Sequence, residues 1–131
     1  LAPDIGDPLE PAVLLPQVAQ GALAVECRDD DELRTLLATI EDPSARRAVD
    51  AERAFLAELG AGCDLPIAAH SRLLVDGSAA GGIVVTGALS SPDGTTLLRE
   101  ERTGTDGTSL GRAIARHLLD DRGGAALMSV S

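Results

Sequence analysis

Apolar residues recur at helical spacing in two stretches before residue 60. In RDDDELRTLLATIED, Leu33, Leu36, Leu37 and Ile40 fall at i, i+3, i+4 and i+7, the stripe of an amphipathic helix. Asp29 is its expected N-cap, with Glu32 at the capping-box spacing. Asp42-Pro43 ends this helix and opens another, Asp42 as N-cap and Pro43 as the first helical residue. The second helix is expected to reach about Leu59, with Val49, Phe55, Leu56 and Leu59 on its stripe and Gly60 as its stop. Glu52 shares that stripe. A carboxylate snorkelling at the edge of the core is the favoured reading, and an ion pair with something covering the face is the alternative.

Beyond Gly60 the period changes from helical to alternating. Ile67, Ala69, Ser71, Leu73 and Val75 mark one strand, closed by a turn at Asp76-Gly77. Ile83, Val85, Gly87 and Leu89 mark a second. SPDG (Ser91 to Gly94) is a tight turn, and TTLLREER is the third strand. Such spacing predicts antiparallel hairpins. A last helix is expected over about Thr108 to Asp120, with Leu110, Ile114 and Leu118 on one face and His117 as a core-edge or helix-end residue. Gly123-Gly124 ends it, and AALMSV is a candidate terminal strand. The order ααβββα predicts an α+β fold: a small antiparallel three-stranded sheet with helices packed on one face.

The chain's start reads differently. Residues 1–19 hold four of the seven prolines, so an extended or loop-like segment is expected. In QGALAVEC, Ala22, Ala24 and Glu26 alternate with Leu23, Val25 and Cys27, which predicts a short strand with Cys27 as a buried apolar residue. Nothing nearby could pair with it, so it is expected to belong to the sheet of a neighbouring domain. The division is therefore residues 1–28, a returning segment, and residues 29–131, an α+β domain.

Composition narrows the function. The formal net charge is −10, all eleven basic residues are Arg, and Phe55 is the only aromatic. That offers neither a phosphate footprint nor a stacking platform, so nucleic acid is not an expected partner. The opening LAPDIGDPLEPAVLLP is neither a signal peptide nor a long apolar span. A soluble protein without a membrane partner is expected, and an excised piece of a longer chain remains open. Two cysteines and two histidines without close spacing give no metal signature. They favour a reducing, cytoplasmic setting over a disulfide. The Arg-only, Ala- and Gly-rich usage suggests a GC-rich bacterial source.

Cys63 stands apart. It lies in GAGCDLP, with Gly60 and Gly62 before it and Asp64, Leu65 and Pro66 after it. Glycines allow a hinge and close approach. A helix C-terminus and an adjacent Asp both disfavour thiolate, so the residue suits holding a group once formed better than repeated turnover.

LLPQVAQGALAVECR, AERAFLAELGAGCDLPIAAH and GALSSPDGTTLLREERTG together resemble the C-terminal part of the hydroxymethylbilane synthase (porphobilinogen deaminase) family, over nearly the whole chain. The resemblance implies a bacterial transferase of heme and tetrapyrrole biosynthesis that joins four porphobilinogen units with release of ammonia. It implies a dipyrromethane cofactor held by a thioether to Cys63, on a loop hinged at Gly60 and Gly62. Gln20 and Gly21 match a block near the pocket, with a strand start and tight turn as the equal alternative. Arg53 is expected to be structural, pairing near Glu52. The implied partners are porphobilinogen, the growing pyrrole chain and N-terminal domains absent here. No catalytic residue is expected in this piece. A polyanionic product needs clustered cations, and scattered arginines at net charge −10 are a poor host. The chain alone is expected to be inactive. Two other classes compete: a small-molecule-binding α+β domain with an incidental cysteine, and an interaction module docking through the Val49–Leu59 face.

Overall fold

The computed structural model describes residues 6–60, 66–74 and 81–128. Helices α1 (Asp31–Ala38) and α2 (Pro43–Leu59) precede strands β1 (Ile67–Leu73), β2 (Ile83–Ser90) and β3 (Leu97–Gly104). Helix α3 (Gly107–Arg116) follows, continued by a π-type turn over His117–Asp121, and then α4 (Gly124–Met128). The sheet is antiparallel in the order β1-β2-β3. This is the expected α+β arrangement.

Local chemistry accounts for the boundaries. Asp42 caps α2 by accepting the N–H groups of Ser44 and Ala45, with Pro43 next in line. Gly60 ends α2 in the left-handed region at φ 64°, where glycine carries no side-chain penalty. Asp106 caps α3 through the N–H of Ser109.

The core lies on one face of the sheet. Phe55 and Leu59 of α2 and Ile114 and Leu118 from α3 and its extension pack against Ile83, Val85 and Leu89 of β2. Glycine lets these layers approach. A Cβ on Gly111 would sit 2.3 Å from the Ala51 carbonyl oxygen, backbone against backbone. One on Gly87 would sit 2.6 Å from the Phe55 ring.

The other face of β2, at Val84, Thr86 and Ala88, is also buried. The entering segment runs by it. Arg99 of β3 donates to the carbonyls of Ala12 (2.9 Å) and Pro11 (3.3 Å). Farther along, the Ala69 N–H on the outer edge of β1 donates to the Pro16 carbonyl at 3.1 Å.

Several expectations need correction. Residues 22–28 form no strand, because no neighbour completes a ladder. Cys27 is exposed rather than buried. The N-cap of α1 is Asp30, which accepts from Glu32 and Leu33, while Asp29 pairs with Arg34. Helix α1 stops at Ala38 and buries no residue; Leu36 and Ile40 are 64% and 70% exposed. Residues 124–128 are helical, not a strand, because Gly123 at φ 77° turns the chain back onto a helical path. The Val49–Leu59 face is no docking surface, since Phe55 and Leu59 are covered by the chain's own sheet. Val75 and the Asp76-Gly77 turn lie outside the described residues.

Candidate functional site

The link from α2 to β1 carries the candidate anchor. Both its ends are fixed. At the start, Leu59 is buried and the Gly60 N–H donates to the Ala57 carbonyl at 3.1 Å. At the finish, the Pro66 carbonyl accepts from the Ser90 N–H at 3.0 Å, and β1 begins pairing at Ile67↔Leu89. The five residues between, 61–65, hold Gly62 and Cys63 and lie outside the described residues.

Gln20 and Gly21 sit in a tight turn. The Gln20 N–H donates to the Gln17 carbonyl (3.0 Å) and the Ala22 N–H to the Ala19 carbonyl (3.1 Å). Ala19 and Gly21 both have positive φ, 59° and 83°. Glycine adopts this freely, whereas for alanine it costs roughly 1–2 kcal/mol. The turn of the expected strand start is present and the strand is not.

Glu52 holds this turn in place, a role neither sequence reading assigned it. It is only 7% exposed. Its Oε2 accepts the Ala19 N–H at 2.8 Å and its Oε1 accepts the Ser71 N–H at 2.7 Å. Antiparallel pairing with β2 leaves alternate N–H groups of β1, those of Ala69 and Ser71, pointing outward. Pro16 satisfies the first and Glu52 the second, so the two together stand in for a missing strand. Glu52 is thus no snorkelling edge residue, and among the described residues it forms no ion pair. The Ser71 hydroxyl beside it is buried without a hydrogen-bond partner among the described residues.

Other charged groups are structural. Arg47 reaches from α2 to the carbonyls of Gly81 (2.5 Å) and Thr105 (3.0 Å), tying the start of β2 to the turn before α3. Arg53, expected to pair near Glu52, is exposed and has no partner among the described residues. His117 is a helix-end histidine, its Nδ1 2.7 Å from Asp121 Oδ2. Among the described residues there is no cluster of His, Cys, Asp and Glu fit for a metal ion, and no helix long and apolar enough to cross a membrane.

This arrangement fixes the chain on both sides of a short thiol-bearing link, and the sequence around it matches known proteins. The family model described as porphobilinogen deaminase, C-terminal domain, matches residues 46–120, from the first turn of α2 to the π-type turn. Porphobilinogen deaminase of Geobacillus kaustophilus is 43% identical over 125 residues, 95% of this chain and 38% of the relative. That of Roseiflexus castenholzii is 44% identical over 124 residues, 92% of this chain and 39% of the relative. That of Shouchella clausii is 41% identical over 123 residues, 93% and 38% respectively. The chain belongs to the porphobilinogen deaminase family. It spans about two fifths of the length of these curated relatives.

Proposed function

We propose that this chain works as the C-terminal part of a longer porphobilinogen deaminase, a transferase that joins four porphobilinogen units into hydroxymethylbilane and releases ammonia. In this reading Cys63 holds the dipyrromethane group through a thioether. The observation that carries the proposal is the family match across residues 46–120, which runs through Gly62-Cys63. Residues 1–28 would work with the preceding domains, and residues 29–131 would carry the anchor.

The residues present suit that group. A thioether needs a single thiol, and Cys63 falls in a short link pinned at Gly60 and Pro66. Bound there, the group would supply the acceptor end onto which further pyrroles are joined. The chain's own part is mechanical. Helix α2 and strand β1 fix where the link starts and stops. Holding the reacting end near one place turns each coupling into an effectively intramolecular step. Gln20 and Gly21 would contribute to the pocket from the turn that Glu52 fixes.

The charge of this chain supports a division of labour. With net charge −10, it leaves binding of acetate and propionate groups to cations in the preceding part. A turnover assay tests this. Residues 1–131 alone are expected to form no hydroxymethylbilane, and the longer polypeptide is expected to form it. Product from the 131-residue chain alone would overturn the proposal.

A further inference from the structure

Strand alternation puts His70 and Arg72 of β1, Val84 and Thr86 of β2, and Arg99 and Glu101 of β3 on the sheet face away from α2 and α3. The register sets His70, Thr86 and Glu101 in one row across the three strands. The entering segment crosses over them. At the β3 side, Arg99 holds the carbonyls of Pro11 and Ala12, and at the β1 edge the Ala69 N–H holds that of Pro16. Pinned at both sides, the segment roofs a cleft of about 360 Å³, within the range of small-molecule sites. Its floor is the buried pair Val84 and Thr86, and Leu15 lines the roof.

The walls of this cleft carry opposite charges that do not meet. Elsewhere Arg34, Arg46, Arg102 and Arg116 each pair with a carboxylate. On the β1 wall, neither the Arg72 nor the His70 side chain has a hydrogen-bond or ion-pair partner among the described residues. On the β3 wall, the Thr86 hydroxyl donates to Glu101 Oε2 at 2.8 Å and fixes that carboxylate, leaving Oε1 to accept another donor. Two strand spacings put the facing walls about 10 Å apart at the backbone. The side chains reaching inward leave a gap suited to a short chain with a charge at each end. A guanidinium matches a carboxylate through two parallel N–H bonds, and an imidazole adds one ring N–H in either tautomer. The carboxylate opposite suits an ammonium group.

We propose that this cleft binds a short ω-amino acid, its carboxylate on Arg72 and His70, its ammonium on Glu101, and its methylene chain between Val84 and Leu15. A ligand touching floor and roof together ties the entering segment to the sheet. A lone anion would satisfy one wall and leave Glu101 beside it. The inference does not rest on the reading of Cys63 as an anchor.

Amide NMR of the 131-residue chain, titrated with γ-aminobutyrate, tests this. Saturable shifts are expected at Arg72, Thr86 and Glu101 and at Ala12 and Leu15 above them, with a dissociation constant of about 1 mM. Acetate and propylammonium each carry one of the two charges and are expected to bind about tenfold more weakly or worse. Arg72→Gln and Glu101→Gln should each weaken γ-aminobutyrate by about tenfold, and Arg112→Gln, on the helix side of the sheet, should leave it unchanged. Arg72 and Glu101 are exposed side chains, so neither variant removes a core contact. Should one of them not fold, the other carries the test. No saturable shift up to about 20 mM would overturn the proposal. So would equal binding of acetate, which would make the cleft a plain anion site, and so would undiminished binding by the two cleft variants.

Discussion

The carboxylate of Glu52 reaches the backbone N–H of Ala19, thirty-three residues earlier, at 2.8 Å, and so fastens the entering segment to the sheet. The same side chain takes the Ser71 N–H on β1. Hydrogen bonds to a charged group contribute about 1.5–3 kcal/mol each. Glu52→Ala, which leaves both amides without an acceptor, is expected to cost about 2–4 kcal/mol. Glu52→Gln keeps only one good acceptor and should fall between. Urea melts of the three proteins check the order. Equal stability of Glu52→Ala and the parent would show that the clamp contributes nothing.

Gly111 sets how closely α3 approaches α2. A methyl group there would meet backbone atoms, the Ala51 carbonyl oxygen at 2.3 Å and the Phe55 nitrogen at 3.0 Å, so no rotamer change relieves it. Gly111→Ala is expected to destabilise by roughly 2 kcal/mol or more, since the helices must separate. At Gly87 the clash is with the Phe55 ring and the Ile114 side chain, which can shift, so Gly87→Ala should cost less. Thermal unfolding of both variants measures the difference.

Acid should weaken the fold in a defined window. The Ser109 hydroxyl and N–H, bonded to Asp106, hold its carboxyl below the usual range. The Arg116 guanidinium, bonded to Glu58 at 2.7 Å, holds that carboxyl down against the opposing effect of burial. A carboxyl depressed in the folded state binds protons less readily there than in the unfolded chain. Its contribution is full above the unfolded value and is lost as pH falls through the folded one. Stability from these groups should hold between about pH 7 and 5 and decline below about pH 4. Asp106→Asn retains a capping oxygen but does not titrate, so its melting temperature should vary less steeply below pH 4. An unchanged slope would remove Asp106 from the account.

Much of the fold was legible because local signals agreed with one another. Asp42-Pro43 and Gly60 bracket α2 with chemistry specific to helix ends, and alternation around SPDG gives the hairpin. Periodicity reports which residues share a face, not what covers it. That is why Leu36 and Ile40 looked like core and are exposed, and why QGALAVEC looked like a strand without having a partner. The apolar run after Gly124 is too short for its period to separate helix from strand. The role of Glu52 was hidden for another reason. Its partners are backbone amides, which carry no side-chain signature, on segments distant in sequence. The close approach at Gly111 left one usable trace, the four-residue spacing of Gly107 and Gly111 on a single face of α3. Cys63 stands out through its glycine neighbours, and the anchoring role proposed for it rests on the family resemblance alone.

The central claim concerns Cys63, and intact mass tests it directly. The longer polypeptide, expressed in cells and purified, is measured beside a Cys63→Ala version. The account predicts that the first carries the added mass of two linked pyrroles and that the second lacks it. A folded parent protein of unmodified mass, made with substrate present, would contradict the account and leave Cys63 an ordinary thiol in the link between α2 and β1.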